Sequence, residues 1–418
     1  MSGRRVHVVG AGLAGLAAAL RLAEAGIAVA LHEAAPQAGG RCRSYRDATL
    51  GCRIDNGNHL LIRGNHAAMR YLGMSGAENT LTGPEDAAYP FLDLATGERW
   101  VVRPNRGRIP WWLFDERRRV PGTGPLDYLK ALRLALAGPG DSVADVLDRH
   151  SVAFRRLWQP LAVAALNTEA EAGAAALLAR VLRESFGAGG SACRPLVPRE
   201  GLSESLVEPA LARLAAAGAE IRFGARLRSI AFDDGRATAL AFEEGDASLA
   251  SGDAVVLAVT APVASRLVPD LAAPDAFRAI LNAHFRIDAP PDSPLFIGLI
   301  GGTAEWVFRK GQVLSVTISA ADRLIDMPAE DLAALLWPEV RRAYDLAQAP
   351  PPAWQIVKER RATFAALPAQ LARRPKTATR WRNLMLAGDW TATGLPATIE
   401  GAIRSGFAAA EALLSATP

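Results

Sequence analysis

The sequence predicts an α/β protein: a Rossmann-type domain assembled from both ends of the chain, with an α+β domain inserted between its pieces. Three observations carry this. A strand, a glycine turn, a helix and a second strand follow in order across Val6–His32. A buried strand and a long helix occupy Asn383–Leu414. Between them lies a long middle of different texture, broken by proline and glycine. Parallel strands need a crossover helix, which the first unit supplies. At 418 residues the chain is too long for one hydrophobic core, so two domains are the default.

Bulk composition narrows the class. Half the residues are hydrophobic, much of that alanine, and 6% are aromatic, which suits a helix-rich enzyme and excludes a disordered chain. A net charge of +4 is too even a balance for a nucleic-acid binder, though a local basic face is compatible with it. Cys42, Cys52 and Cys193 form neither a metal pattern nor a disulfide framework and read as free thiols in a reducing cytoplasm. Arg4 and Arg5 ahead of the apolar Val8–Leu20 run resemble a signal peptide. Glycines at 10, 12 and 15 break that run, and it is too short to span a bilayer, so it reads as folded structure. No transmembrane segment is expected.

Along the chain, Val6–Val9 is β-rich, Leu13–Ala25 reads as a helix stopped at Gly26, and Ile27–His32 as the next strand. The texture changes near Gly76, where an aromatic-basic patch precedes helical periods at Leu126–Ala137 and Ala170–Leu182. Leu202–Ala217 reads as a helix, followed by strands at Glu220–Phe223, Leu227–Phe232 and Ala254–Val259, the last continuously apolar as a fully buried strand is. After Pro262 come strands near Phe296–Ile300 and Leu314–Ile318, a helix from Ala329, and a proline linker at 350–352. Residues 1–75, 199–265 and 380–418 are thus assigned to the nucleotide-binding domain, and 76–198 and 266–379 to the substrate domain.

Gly10-Ala11-Gly12-Leu13-Ala14-Gly15 matches GxGxxG directly after a strand and opening a helix. The first glycine permits the tight turn, the second lets backbone approach a pyrophosphate, and the third packs helix on strand. N–H groups at the helix start then face the phosphates. Glu33, eighteen residues past Gly15 with Ala34 beside it, sits where an acid bonds a ribose hydroxyl.

Two further elements point to FAD over a nicotinamide. Gly39-Gly40-Arg41 offers close backbone approach and a guanidinium to offset phosphate charge. Near the C-terminus a strand ends in Gly388-Asp389, and Thr398-Ile399-Glu400-Gly401-Ala402 opens the last helix. In that order the acid accepts a ribityl hydroxyl and the helix N-terminus faces the flavin, its partial positive charge favouring the anionic reduced form. Leu227 is also assigned to the cofactor site.

These stretches, VHVVGAGLAGLAAALRLAEAG with LHEAAPQAGGR and LAGDWTATGLPATIEGAIRSG, resemble the amine oxidase and phytoene desaturase superfamily, whose FAD domain is glutathione reductase-like. Ile54-Asp55-Asn56-Gly57-Asn58-His59-Leu60-Leu61, and Leu157-Trp158-Gln159-Pro160-Leu161 through Asn167-Thr168, resemble one branch of it, the bacterial hydroxysqualene dehydroxylases. The resemblance implies reduction of hydroxysqualene to squalene in hopanoid biosynthesis, with an acid, an apolar slot for a C30 chain, and a flavin within reach. By the same resemblance Gly57, Asn58 and His59 pass close to the flavin ring, and Asp55 or His59 is the candidate acid. Asn56-Gly57 also reads as a hairpin-turn signal, with Asp55 or Asn58 bonding that turn. Asn167 and Thr168 are candidates to line the substrate pocket, or an ordinary helix terminus.

Trp111, Trp112 and Phe114, followed by Arg117, Arg118 and Arg119, read either as a peripheral contact with the inner face of the plasma membrane or as a core cluster beside a solvated charge run. No second strand–GxGxxG–helix unit is present, so electrons are expected from an external donor or transient NAD(P)H. The rival enzyme readings are a carotenoid-type desaturase or an amine oxidase. Five tyrosines, none of them within Thr398–Ala402, disfavour the aromatic cage of the latter. The non-enzymatic rival is a prenyl-binding protein on the same fold.

Overall fold

The structure, a computed structural model, describes residues 4–415. Its first sheet has five strands: β1 (Arg5–Val9), β2 (Ala28–Glu33), β3 (Glu220–Phe223), β4 (Ala254–Leu257) and β5 (Leu384–Leu386). They lie in the order β3-β2-β1-β4-β5, all parallel. A Rossmann-type sheet binds its ligand outside the carboxyl ends of the strands, where the order reverses about β1. Both ends of the chain therefore meet in one sheet.

Helix α1 (Leu13–Glu24) and the last helix, α3 (Ile399–Ser415), cover one face together with α2 (His66–Ser75). Gly406 is needed for this packing, since a Cβ there would lie 2.1 Å from the Ala14 carbonyl oxygen of α1. A three-stranded antiparallel sheet, Leu227–Asp233, Arg236–Phe242 and Gly245–Ser248, covers the other face. There His7 and His32 lie side by side with ring nitrogens 3.1 Å apart, His32 stacked on Phe242.

A seven-stranded mixed sheet dominates the middle of the chain. Its order is Trp354–Phe364, Phe277–Arg286, Val313–Ile318, Trp306–Lys310, Phe296–Ile300, Tyr89–Asp93 and Arg99–Val102. Residues 89–93 and 296–300, from the two middle stretches, pair in parallel. Alternation along each strand splits the faces. Leu281, Ala283 and Phe285 pack against the Ala329–Ala343 helix. Phe296, Trp306 and Phe308 pack against a layer of short helices between 111 and 188. Asn282, His284, Ser315 and Thr317 share the side of this sheet that meets residues 50–59.

Several expected helices are interrupted. Leu202–Ala217 divides into Leu202–Leu206 and Glu208–Ala216, because Pro209 has no N–H to continue the helix. The Leu126–Ala137 stretch is α-helical only over Pro125–Leu129 and then tightens into a 3₁₀ helix, Lys130–Leu136. The expected helix at 170–182 starts at Ala175, since the N–H of Ala174 is taken by the Ala366 carbonyl. Asn56-Gly57 does not make a hairpin turn. The hairpin joins Ser44–Arg46 to Arg53–Asp55, one turn earlier, where Asp47 accepts the Leu50 N–H.

Candidate active site

The glycine turn is built as its spacing requires. Gly10 has φ +103° and a Cβ there would lie 2.4 Å from the Ala258 oxygen; at Gly15 one would lie 1.8 Å from the Gly10 oxygen. Gly12 differs, for a Cβ there meets nothing within 4 Å. Its absent side chain is not required by the protein's own packing, which fits a position kept bare for a ligand. Gly39 pairs with this turn, its N–H bonding the Ala11 carbonyl at 2.9 Å, and Gly40 faces the Gly12 Cα. Two glycine motifs 27 positions apart thus form one cradle of backbone, which fits a pyrophosphate.

Glu33 ends β2 beside the turn. One carboxylate oxygen accepts the Ala11 N–H at 2.7 Å and the other the Ala35 N–H at 2.8 Å. Each oxygen retains a second acceptor site, as a ribose hydroxyl needs. Ala34 is exposed at the same tip, and Leu227 lies next along, where Ala225 bonds the Glu33 carbonyl.

At the other end of the cradle, Arg41 joins the two chain termini. Its guanidinium donates to Asp389 at 2.7 Å and to the Ala362 carbonyl at 2.7 Å. The Asp389 carboxylate beside it holds the guanidinium pKa up. The Gly388–Leu395 loop is tied by a residue that local sequence did not single out. Buried Arg374 donates to the carbonyls of Asp389, Thr391 and Leu395 and to the Thr393 hydroxyl. Burial pulls its pKa down to about 10, and its guanidinium lies 4.8 Å from the Phe364 ring centroid. Thr398 caps α3 by accepting the Gly401 N–H at 3.0 Å. Glu400 corrects the expectation placed on it. Its carboxylate turns away to accept the Ala67 and Ala68 N–H groups that open α2, and pairs with Arg404. Only its backbone, like those of Ile399 and Ala402, is left at the start of the last helix to face a ligand.

The 55–59 segment is clamped between the two domains. Asn56 bonds the backbone of Arg41 and Arg43, and Asn58 donates to Thr317 Oγ1 at 3.0 Å. Gly57 is held bare by Asn282, whose amide nitrogen lies 3.2 Å from its would-be Cβ and donates to the Asn56 carbonyl. Asp55 is buried and accepts from Ser44 Oγ, from the Leu202 N–H and from the Lys310 ammonium. Such a carboxylate is an acceptor already spent, which counters its expected role as the acid. His59 lines a small cavity with Asn58, Leu295, Phe308 and Lys310. The ring is partly buried, and that burial pushes its imidazole down to about 4, so the ring is neutral at pH 7. His284, behind Ser315, is likewise pushed down to about 4 by burial and keeps one ring nitrogen without a partner.

Lys310 is a cationic group beside this segment that local sequence did not reveal. Only the sheet register brings it to Asp55, 255 positions away, and it faces the cavity beside His59. Of the two readings of Asn167 and Thr168, the structure fits the helix terminus. Asn167 sits in the left-handed region at φ 47°, ending helix Gln159–Leu166, and ties Ala320 to Thr363. Thr168 accepts the Ala366 N–H. Both spend their polar groups bracing the helical layer against the sheet. Four of the five tyrosines, at 71, 89, 128 and 344, are buried with hydroxyls bonded inside the protein, so they do not build a cage. Among the described residues no His/Cys/Asp/Glu cluster could hold a metal ion.

A glycine cradle at a Rossmann switch point, closed by a C-terminal Gly-Asp strand and helix, defines an FAD-dependent oxidoreductase. The comparisons agree. The model of the flavin containing amine oxidoreductases matches residues 13–414, and the chain belongs to that family. It is 51% identical to the hydroxysqualene dehydroxylase of Rhodopseudomonas palustris and 47% identical to that of Sinorhizobium fredii, over 99% of both chains in each case. Among solved structures it superposes on putrescine oxidase with a TM-score of 0.71 at 17% identity, covering 99% of each chain, which is a likeness of fold.

Proposed function

We propose that this protein reduces hydroxysqualene to squalene. The observation that carries the reading is the Lys310 ammonium at the edge of an aromatic sheet face. Lys310 and Phe308 alternate on one strand and line the cavity with Val197 and Leu295, so a cation pinned by Asp55 adjoins apolar side chains suited to a polyprenyl chain. Near relatives named hydroxysqualene dehydroxylase support it. The glycine cradle, Arg41 and Asp389 would hold FAD, which when reduced would supply hydride.

The chain's own residues then have defined tasks. Lys310 donates a proton to the leaving hydroxyl as the allylic C–O bond breaks, and water departs. The carbon accepts hydride, and Lys310 regains its proton from solvent. Asp55 is the positioning residue, holding the ammonium toward the cavity. Neutral His59 accepts or donates one hydrogen bond to the hydroxyl. Val197, Leu295 and Phe308, which line the cavity, keep water from the developing cation. A C30 hydrocarbon is insoluble in water, so delivery of substrate from a bilayer belongs to the same reading.

The test is product analysis. Enzyme reduced without oxygen and given hydroxysqualene is expected to yield squalene, and given squalene or phytoene to yield nothing. New double bonds from oxidised enzyme with squalene or phytoene would instead establish a desaturase.

A further inference from the structure

Nine large hydrophobic side chains are exposed among the described residues, and seven of them fall within 28 consecutive positions: Ile109, Trp111, Phe114, Leu126, Leu129, Leu132 and Leu136. Trp111 and Phe114 lie 6.3 Å apart, ring to ring. Directly beneath, Trp112 meets Tyr128 edge-on at 5.1 Å, which docks the Pro125–Leu129 helix against this aromatic turn. The 3₁₀ geometry of Lys130–Leu136 does the rest, since side chains three apart stack in rows. Leu134 points into the core, Leu132 continues an outer row from Leu129, and Lys130, Arg133 and Leu136 form the row between. The outcome is a face of bare leucines, Leu136 87% and Leu126 72% exposed, edged by cations.

Charge is concentrated at the same place. Positions 103–136 hold eight Arg or Lys against three Asp or Glu, a net of +5, more than the +4 of the whole chain. Not all of it is free. Arg119 is mostly covered and bonds the Leu113 and Thr123 carbonyls, while Trp112 is core, so the patch divides between the two readings the sequence offered. Arg117, 89% exposed, and Arg103, Arg108, Lys130 and Arg133 remain at the surface. Inward, Trp112, Leu113, Tyr128 and Leu134 share one apolar core with Phe308 of the candidate site.

We propose that residues 109–136 form a docking face that sinks its leucines and aromatics into the headgroup–acyl boundary of an anionic bilayer, and that the polyprenyl substrate crosses between lipid and cavity beneath it. The crossing rests on the proposed function; the docking does not. Apolar side chains ringed by arginine and lysine suit that boundary, and the positive surplus is attracted to anionic headgroups. A second copy of the same face would bring like charges together. Among the described residues no helix is long and apolar enough to cross a membrane, so the contact is peripheral.

The test uses the full-length flavin-loaded protein and vesicles of phosphatidylcholine, with or without phosphatidylglycerol. The protein is expected to sediment with the anionic vesicles and to be released by salt. The triple variant Leu126→Ser, Leu132→Ser, Leu136→Ser alters only exposed side chains. It is expected to bind at least tenfold more weakly with an unchanged flavin spectrum and melting temperature. Its turnover of hydroxysqualene should match the parent in detergent micelles and fall behind when substrate is supplied in vesicles. Equal sedimentation of parent and variant would overturn the proposal, as would a dimer that the leucine substitutions dissolve in a protein that ignores vesicles. Intact vesicle binding with no turnover in micelles would refute the reaction and leave the docking face supported.

Discussion

Gly12 and Gly15 stand three positions apart in one turn and are expected to fail differently when filled. At Gly15 a side chain strikes the Gly10 oxygen, so Gly15→Val should give little folded protein. At Gly12 it enters open space, so Gly12→Val should fold with a near-parental melting temperature and retain no FAD. Circular dichroism and flavin absorbance on the two variants check this, and a yellow Gly12→Val protein would mean the pyrophosphate lies elsewhere. Lys310→Met is expected to slow hydroxysqualene conversion by about 10²-fold or more, the usual worth of a positioned acid, while FAD stays bound. A single-turnover rate equal to the parent's would remove Lys310 from the chemistry. The glycines, Glu33, Arg41 and Asp389 were legible in the sequence because a phosphate and a ribose impose short, fixed spacings on one piece of chain. Lys310 was not legible, for nothing near it in sequence marks it; the register of Trp306–Lys310 against Val313–Ile318 delivers it to Asp55.

At the scale of elements, β1 and β2 carry a pH dependence. Burial lowers the pKa of His7 and takes that of His32 down to about 4. Folded values below the ordinary 6.5 mean that protonation favours the unfolded chain. The contribution is therefore complete above about pH 6.5 and is lost as pH falls toward 4. Melting temperature should drop across that window, and His32→Gln, which keeps a polar partner for His7 without ionising, should flatten the drop. An unchanged acid limb would place the effect elsewhere, His59 and His284 being the next candidates. The Gly388–Leu395 loop depends on Arg374. With several acceptors left unpaired, Arg374→Ala should weaken FAD binding tenfold or more, each charge-assisted bond being worth about 1.5–3 kcal/mol. Lysine should not rescue it, because one ammonium cannot reproduce the planar fork. FAD titration of the two apoproteins reads the difference. Buried parallel strands such as Ala254–Leu257 were visible as apolar runs, whereas Trp354–Phe364 was not, being an edge strand with a largely half-exposed, charged sequence. The helix expected over Leu126–Ala137 is α-helical only as far as Leu129 and 3₁₀ beyond, and of its five leucines Leu134 alone is buried.

For the whole molecule, the order β3-β2-β1-β4-β5 makes the C-terminal strand and helix part of the first domain. Arg41–Asp389 and the contact of Gly406 with Ala14 are the joints. Truncation after Arg382 should consequently lose FAD although the glycine turn survives, as measured by the flavin content of the purified fragment. That closure was legible from the two terminal motifs together. How the seven-stranded sheet is assembled was not, since it depends on pairing between Tyr89–Asp93 and Phe296–Ile300, some two hundred positions apart. The most direct test of the central claim is a single-turnover experiment in stopped flow. Enzyme reduced without oxygen and mixed with hydroxysqualene should regain oxidised-flavin absorbance and release one squalene per flavin. Reoxidation that hydroxysqualene does not accelerate, or bleaching of oxidised enzyme by squalene with new double bonds formed, would contradict it.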